Sequence, residues 1–307
     1  MSSTLPESTS SLINALIEQH TLPKHFSTIV NDFYFPVAKE LNEKLSSNDA
    51  KKVCFVGIQG SQGSGKSTFA DFLKTLLENE FNKQVLVISI DDFYLTKAER
   101  IELSNNIHPL FETRGVPGTH DIELLENVFQ SIKNKKQGQP ILVPTFNKAT
   151  DDRHPTEHWQ KIDKKVDVVI LEGWCVGIDP QTEADLTRAC NDLESTEDHD
   201  AIWRRYVNQQ LTNGYSDLYN QLDFLISLLA PSFECVFEWR SLQEQKLIDK
   251  LSEQGGDTSK TLSPKQVKRF ISHYQRLTEH AIQTMPSKAD WLLRLNKDHS
   301  FSALERR

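Results

Sequence analysis

The chain has 307 residues, 43 Asp and Glu against 35 Lys and Arg, a formal net charge of -8 and 37% hydrophobic residues. These values are typical of a globular protein of one large or two small domains. They exclude fibrous and wholly disordered classes, since Gly and Pro number 12 each. The acidic balance argues against a nucleic-acid partner, because duplex binding depends on a Lys/Arg surface. A local basic pocket for a small anion remains compatible with it.

The cysteine pattern and the N-terminus indicate where the protein works. The cysteines lie far apart without a C-x-x-C pair, which is typical of reduced cytosolic thiols. Residues 1–10 lack the basic and apolar regions of a secretory signal, and no apolar run reaches the roughly 18 residues that span a bilayer. We therefore expect a cytoplasmic protein without a membrane partner.

The N-terminal part of the chain reads as a helical extension. A polar tail over residues 1–10 precedes amphipathic segments over 11–20 and 24–45, interrupted at Pro23 and Pro36. We predict that residues 1–48 form this extension and that residues 49–307 form the main domain.

Beyond residue 48, strand and helix patterns alternate. Short apolar runs predict strands over 52–58, 85–90, 141–143, 166–171, 222–230 and 290–295. Helical periodicity and capping signals predict helices over 66–81, 122–136, 203–219, 233–251 and 263–284. We expect a loop over 105–121, an exposed, charged loop or insertion over 179–197 and a flexible linker over 253–261. The alternation predicts an α/β fold with a mostly parallel sheet flanked by helices.

A phosphate-binding loop is the sharpest motif. Residues 60–68 read G-S-Q-G-S-G-K-S-T, which satisfies G-x-x-x-x-G-K-[ST] between a predicted strand and a predicted helix. Such a loop wraps phosphate with backbone N–H groups, while Lys66 reaches the β/γ-phosphates and Ser67 can ligate Mg²⁺. The fold is therefore predicted to be of the P-loop NTPase type. The expected ATP-binding residues are Gly60, Ser61, Gln62, Gly63, Ser64, Gly65, Lys66, Ser67 and Thr68.

Carboxylates follow two of the predicted strands. Ligands of open parallel sheets bind beyond the carboxyl ends of the strands. Glu172 follows the strand over 166–171, in a position from which a carboxylate can hold Mg²⁺. Asp91 and Asp92 follow the strand over 85–90, and either one could accept the proton of an attacking hydroxyl. The sequence leaves the choice open, because adjacent residues of an extended chain point to opposite faces.

Further blocks accompany these motifs in a fixed order. They are G-I-Q-G-S-Q-G-S-G-K-S-T at 57–68, S-I-D-D-F-Y-L-T at 89–96, R-G-V-P-G-T-H-D at 114–121, P-T-F-N-K at 144–148 with Asp152 and Arg153, L-E-G-W-C-V-G at 171–177, A-P at 230–231 and E-W-R at 238–240. Together they resemble the phosphoribulokinase/uridine kinase/pantothenate kinase group of P-loop kinases, and most closely its D-glycerate 3-kinase branch. The resemblance covers about residues 50–300.

The resemblance implies roles for particular residues. Asp91 would be the general base, and Glu172 and Ser67 would bind Mg²⁺. Lys66 and Arg240 would contact the transferring phosphoryl group, with Arg240 in a lid near 240–276. The implied acceptor-binding residues are Asp92, Tyr94, Arg114, His120, Asp121, Lys148 and Arg153. One departure is Asn147, which stands where the family pattern has Asp.

Plainer interpretations exist for several of these residues. His120 and Asp121 could cap the following helix, and Arg114 could be a surface residue of a Gly/Pro loop. Lys148 and Arg153 could be solvated loop charges.

The implied activity is ATP- and Mg²⁺-dependent phosphorylation of D-glycerate to 3-phosphoglycerate. The alternatives are another small hydroxyl acceptor (pantothenate, a nucleoside or a sugar acid) and a non-catalytic ATP-binding regulatory protein. Closure would involve Gly255, Gly256 and the loop from Arg114 to His120. The expected partner is a small-molecule acceptor; a monomer is favoured, with the oligomeric state open.

Overall fold

A computed structural model describes residues 6–47, 52–136, 139–253 and 261–307. The α-helices in these ranges are α1 (Glu7–Gln19), α2 (Phe26–Ile29), α3 (Phe35–Ser47), α4 (Lys66–Phe81), α5 (Lys97–Asn106), α6 (Ile122–Lys133), α7 (Glu183–Leu186), α8 (Asp192–Glu197), α9 (Ile202–Gln210), α10 (Ser216–Tyr219), α11 (Phe233–Glu253) and α12 (Pro264–Lys288). The strands are β1 (Cys54–Gly60), β2 (Val85–Ser89), β3 (Ile141–Val143), β4 (Phe146–Asn147), β5 (Asp152–Arg153), β6 (Gln160–Ile162), β7 (Val168–Gly173), β8 (Phe224–Leu229), β9 (Trp291–Leu295) and β10 (Phe301–Arg306). No helix in these ranges combines the length and the apolar content needed to cross a bilayer.

The predicted mostly parallel sheet is confirmed. It has six strands in the order β10-β9-β8-β1-β7-β2, and only the pairing of β10 with β9 is antiparallel. Strands β1, β7 and β8 are buried along their whole length because helices cover both faces of the sheet. Ser89 of β2 lies opposite Glu172 of β7, so these strands end at the same edge. Two short ribbons, β3-β6 and β4-β5, lie outside this sheet.

The N-terminal helices share the core of the main domain. The ring of Tyr34 packs edge-on against Phe69 of α4, with 4.5 Å between centroids, and Phe33 lies 5.1 Å from Phe301 of β10. The predicted interruption at Pro36 is wrong. A π-helical turn over Val30–Tyr34 leads directly into α3, so the helical backbone continues through Pro36, and the irregularity next to Pro36 is this π-turn. The boundary between an extension and a main domain stays a prediction.

Several elements were not predicted, among them α5 and β10. Helix α5 begins with a capping box, in which Thr96 Oγ1 accepts from the Glu99 N–H and Glu99 caps the Thr96 N–H. The T-x-x-E pattern at residues 96–99 therefore indicates the start of this helix. Strand β10 is polar and lies at the sheet edge, where a strand carries little hydrophobic pattern. The glycines Gly255 and Gly256 lie outside the described residues.

Most residues of the predicted exposed loop or insertion over 179–197 are exposed, but the segment is not a loop throughout. This segment contains α7 and α8 and docks against α12. Glu194 is fully buried, and its Oε1 and Oε2 accept from Arg276 Nε at 2.7 Å and Nη2 at 2.6 Å. Arg276 also donates to the carbonyls of Asp185 and Arg188, which ties the insertion to α12. The charged composition of the segment therefore includes residues of a buried ion pair as well as exposed residues.

Breaking this pair should destabilise the protein strongly. Glu194→Gln leaves Arg276 without its counter-charge in a buried position, so we expect the free energy of unfolding to fall by about 3 kcal/mol. Glu197→Gln is the matched control, because it breaks the exposed pair with Arg269 between the same two helices. That change should cost no more than about 0.5 kcal/mol in a denaturant titration. Equal losses in the two variants would contradict the assignment of Glu194 as a buried anchor.

Candidate active site

The phosphate loop joins the end of β1 to the start of α4. Gly63 and Gly65 have φ of 79° and 86°, in the left-handed region that favours glycine. The hydroxyls of Ser61 and Ser64 are buried and lack a hydrogen-bond partner within the described ranges. Unpaired buried donors around a helix N-terminus fit phosphate oxygens, which supply the missing acceptors.

Lys66, Ser67 and Glu172 come together beside this loop. Ser67 Oγ donates to Glu172 Oε1 at 3.1 Å, and Lys66 Nζ lies 3.9 Å from Glu172 Oε2. Glu172 is 5% exposed, and its Oε2 accepts no hydrogen bond from any described residue. Hydroxyl and carboxylate oxygens suit Mg²⁺. The described residues form no cluster of three or more His, Cys, Asp or Glu for a metal ion, so a cation here would need phosphate and water oxygens as further ligands.

Asp91 and Asp92 lie in a 3₁₀ turn over Ile90–Phe93, not in the extended chain that the sequence suggested. Asp91 Oδ1 accepts from Tyr94 Oη at 2.8 Å, and its Oδ2 accepts from Lys148 Nζ at 3.0 Å. Asp92 Oδ1 accepts from the Phe146 N–H at 3.1 Å. The two carboxylates therefore have different surroundings: Asp91 faces a cation, whereas Asp92 holds the start of β4.

The same surroundings move the two pKa values apart. Burial alone would raise the pKa of Asp91, but the positive charges of Lys148 and Lys66 outweigh it and lower that pKa to about 2. For Asp92, burial dominates over the hydrogen bond from Phe146, and the pKa is raised. Asp91 is thus a stable carboxylate at neutral pH.

Asp121 and Arg153 form an ion pair. Asp121 Oδ1 accepts from the Leu124 N–H at 3.0 Å and caps α6, as the plainer interpretation held. Its Oδ2 accepts from Arg153 Nη2 at 3.0 Å, and Arg153 Nη2 also donates to the carbonyl of Tyr94 at 3.0 Å. The pair therefore fixes the turn that carries Tyr94 above Asp91.

His120 is buried beside the same tyrosine. Its ring stacks on Tyr94 with 4.6 Å between centroids, and burial lowers its pKa to about 4. The Tyr215 hydroxyl accepts from the Gly118 N–H at 3.0 Å and lies 2.7 Å from His120 Nδ1. A hydrogen bond therefore joins the Tyr215 hydroxyl to the His120 ring. Nε2 has no partner among the described residues.

Arg114 and Arg240 line a cleft of about 760 Å³ next to Lys148. Arg114 forms an ion pair with Asp151, which lies 2.8 Å from Nη2 of the buried Arg100. Arg240 Nη2 lies 2.8 Å from Glu244 Oε2. The charged lining residues are Lys97, Arg100, Arg114, Lys148 and Arg240 against Glu112, Asp151 and Glu244. Among the described lining residues, cations outnumber carboxylates, so the cleft suits an anion.

Two aromatic residues hold the loop that carries Arg114. Trp174 Nε1 donates to the carbonyl of Gly115 at 2.8 Å, and Tyr274 Oη donates to the carbonyl of Arg114 at 3.2 Å. Gly115 has φ of 138°, and a Cβ there would lie 2.1 Å from Tyr274 Oη. Only glycine fits against the Tyr274 ring.

The structure brings the predicted residues together in three places. Lys66, Ser67 and Glu172 meet at the phosphate loop, and Asp91, Tyr94 and Lys148 meet beside it. Arg114 and Arg240 lie in the cleft that Lys148 also lines. The supporting residues that the sequence did not single out are Arg100, Asp151, Tyr215, Glu244 and Tyr274; none of them belongs to a motif.

The parallel sheet, the loop at the end of β1 and the carboxylate on the neighbouring β7 define a P-loop kinase. Residues 55–204 match the model of the Phosphoribulokinase / Uridine kinase family. A Schizosaccharomyces pombe protein named Uncharacterized kinase mug58 is 34% identical over 241 residues, which are 76% of this chain and 82% of that protein. The chain belongs to this family and is a kinase, so the resemblance drawn from the motifs is confirmed.

Other relatives carry a more specific name. The chloroplastic D-glycerate 3-kinase of Arabidopsis thaliana is 30% identical over 243 residues, which are 76% of this chain and 48% of that protein. A solved structure of D-glycerate 3-kinase from Cryptococcus neoformans var. grubii has a TM-score of 0.71 and 24% identity, and the match covers 89% of this chain and 97% of that one. At that identity, the solved structure supports the fold alone.

Removing the cation next to Asp91 should raise the pKa of that carboxyl. Lys148→Met takes away its hydrogen-bonding cation, and we expect an increase of about one unit, because the ammonium is largely exposed and screened. Folding lowers the pKa of Asp91, so ionisation of this carboxyl stabilises the folded protein. That stabilisation is fully present above the pKa of the unfolded chain, about 3.9, and is lost as the pH falls toward the folded-state value.

An NMR titration of the Asp91 carboxyl carbon measures this change. Lys148→Arg preserves the charge and should keep the wild-type pKa. An unchanged pKa in Lys148→Met would mean that Lys148 does not set the ionisation of Asp91.

Proposed function

We propose that this protein is a D-glycerate 3-kinase, which transfers the γ-phosphoryl group of ATP to D-glycerate with Mg²⁺ as the metal cofactor. The observation that carries the proposal is the contact of Asp91 with Lys148, which places the Asp91 carboxylate next to a cleft with excess positive charge. A hydroxyl and a carboxylate of one small acceptor could occupy the two regions together. The Arabidopsis thaliana relative named D-glycerate 3-kinase adds support.

The phosphate loop would hold the nucleotide. Its backbone N–H groups and the N-terminus of α4 face the phosphates, and Lys66 offsets the charge on the β- and γ-phosphates. Ser67 and Glu172 would hold Mg²⁺. When bound, the cation neutralises charge on the phosphate oxygens as that charge redistributes.

The acceptor would lie between Asp91 and the cleft. Arg114 offers a planar guanidinium that suits a carboxylate in a bidentate contact. Asp91 would accept a hydrogen bond from the substrate hydroxyl and orient its oxygen toward the γ-phosphorus. His120 Nε2, which has no partner among the described residues, lies beside Tyr94 and would be available to the acceptor.

The transfer step is an in-line displacement. The bond from the γ-phosphorus to the hydroxyl oxygen forms as the bond to the ADP oxygen breaks. The hydroxyl proton passes to Asp91 late in the step. Arg240 would offset charge on the moving phosphoryl group, and closure of the cleft would exclude water that could otherwise be phosphorylated.

The first test is ADP release from Mg·ATP by the purified full chain. The acceptors are D-glycerate, L-glycerate, pantothenate, uridine and none. Turnover that depends on D-glycerate supports the proposal, whereas turnover with pantothenate or uridine alone assigns a different acceptor. No turnover with any acceptor, together with nucleotide-dependent association, would favour an ATP-binding regulatory protein.

Lys66→Ala should reduce turnover by at least about a hundredfold, because its ammonium is a preorganised charge at the transferring group. Lys74→Ala changes a lysine on the same helix, α4, outside the site, and should keep wild-type turnover. The assay is steady-state ADP release, with thermal unfolding as the check on folding. Unchanged turnover in Lys66→Ala would refute the kinase mechanism.

The two aspartates should respond differently to amide substitution. Asp91→Asn removes the carboxylate that would accept the hydroxyl proton, so kcat should fall by about a hundredfold or more. Asp92→Asn keeps an Oδ1 acceptor for the Phe146 N–H, and kcat should stay within a few-fold of wild type. Steady-state kinetics with saturating ATP compares the two. A larger loss in Asp92→Asn would make Asp92 the base.

A further inference from the structure

Helix α11 presents one face to the phosphate loop and a neighbouring face to the cleft. A Cβ added at Gly63 would lie 2.8 Å from Trp239 Cβ and 3.7 Å from Gln243 Nε2, so α11 packs against the loop. Arg240 and Glu244 each follow one of these residues and line the cleft. The spacing of four places both members of each pair on the same face. Arg240 therefore lies beside the phosphate loop and in the cleft.

Glu244 is a buried carboxylate with both oxygens engaged. It is 4% exposed. Its Oε2 lies 2.8 Å from Arg240 Nη2, and its Oε1 accepts from the Leu262 N–H at 2.7 Å. A buried carboxylate needs such partners to offset its lost hydration. Glu244 thus joins Arg240 to the segment that leads into α12.

Arg240 is restrained along one edge only. Glu244 holds Nη2, and the ring of Phe270 lies 5.5 Å from Cζ. A guanidinium has five N–H donors. Within the described ranges, the remaining donors of Arg240 have no hydrogen-bond acceptor, and its side chain is 18% exposed. The restraint leaves a free edge for an anion.

We propose that Glu244 is a positioning residue, which orients the free edge of Arg240 toward the γ-phosphoryl group of the bound nucleotide. The inference rests on the proposed function for the identity of that group. Glu244 contacts neither reactant and acts through Arg240. An oriented guanidinium loses less freedom when it meets the phosphoryl oxygens, so its contribution to the transfer step is larger.

Glu244→Gln separates the two contacts of the carboxylate. The amide oxygen can still accept from the Leu262 N–H, while the amide nitrogen has no charge with which to hold Arg240. We expect kcat to fall about tenfold. The loss of a buried counter-charge should also lower the thermal unfolding temperature, so kcat is compared well below that temperature. Asp249→Asn makes the same change in an exposed residue of α11 that contacts Gln245, and it should leave kcat unchanged.

A double-mutant cycle tests whether Glu244 acts through Arg240. Arg240→Met should lower kcat by about a hundredfold or more. Adding Glu244→Gln to it should produce no further loss, because the residue to be positioned is gone. A tenfold loss in both backgrounds would overturn the inference and give Glu244 a separate role.

Nucleotide binding gives a readout that needs no acceptor. Calorimetry should show that Arg240→Met and Glu244→Gln each weaken the binding of ATP but not the binding of ADP, since only ATP carries the γ-phosphate. Asp249→Asn is the control and should bind both nucleotides as the wild type does. If no acceptor is phosphorylated while this selective loss is seen, the proposed function fails and the inference stands. If the binding of ATP and the binding of ADP are weakened equally, or if neither changes, the inference is overturned.

Discussion

The side-chain amide of Gln59 joins the three central strands at the edge where the site lies. Its Nε2 donates to the carbonyl of Trp174 at 3.1 Å, and its Oε1 accepts from Ser227 Oγ at 2.7 Å. All three residues are buried, so losing one partner would leave a polar group unpaired. Gln59 directly precedes the phosphate loop, and the indole of Trp174 holds Gly115 in turn. One buried hydrogen-bond network thus fixes the nucleotide side and the cleft relative to each other.

The cations of the site are paired with carboxylates of the protein itself. Lys66 lies near Glu172, Lys148 bonds Asp91, and the arginines of the cleft have Asp151 and Glu244. A buried or half-buried cation is stabilised by such a partner before any ligand arrives. An anionic ligand must therefore compete with these carboxylates or share their cations. Arg100, which is 1% exposed and donates to three backbone carbonyls, keeps Asp151 in place while this happens.

The sequence predicted the parts of the fold and site that depend on local pattern. The phosphate loop, the buried strands and the carboxylate at Glu172 follow from spacing and hydrophobic runs. The partners Asp151, Glu244 and Tyr274 could not be predicted, because each meets the site through a contact between distant segments. Glu194 was misread for the same reason: its partner Arg276 lies 82 residues away, and a charged segment reads as exposed until that partner is known. The choice between Asp91 and Asp92 likewise depended on Phe146 and Lys148, which are remote in sequence.

The low pKa of Asp91 limits the chemistry that it can perform. A carboxyl with a pKa of about 2 is a weak base and cannot hold the proton of an alcohol in the ground state. In a loose phosphoryl transfer, the attacking oxygen gains little bonding before the leaving group departs, so its proton becomes acidic only late. Before that point, a carboxylate that stays ionised orients the hydroxyl by accepting its hydrogen bond. The Lys148 contact, which weakens Asp91 as a base, therefore favours the orienting role on which the proposed reaction depends.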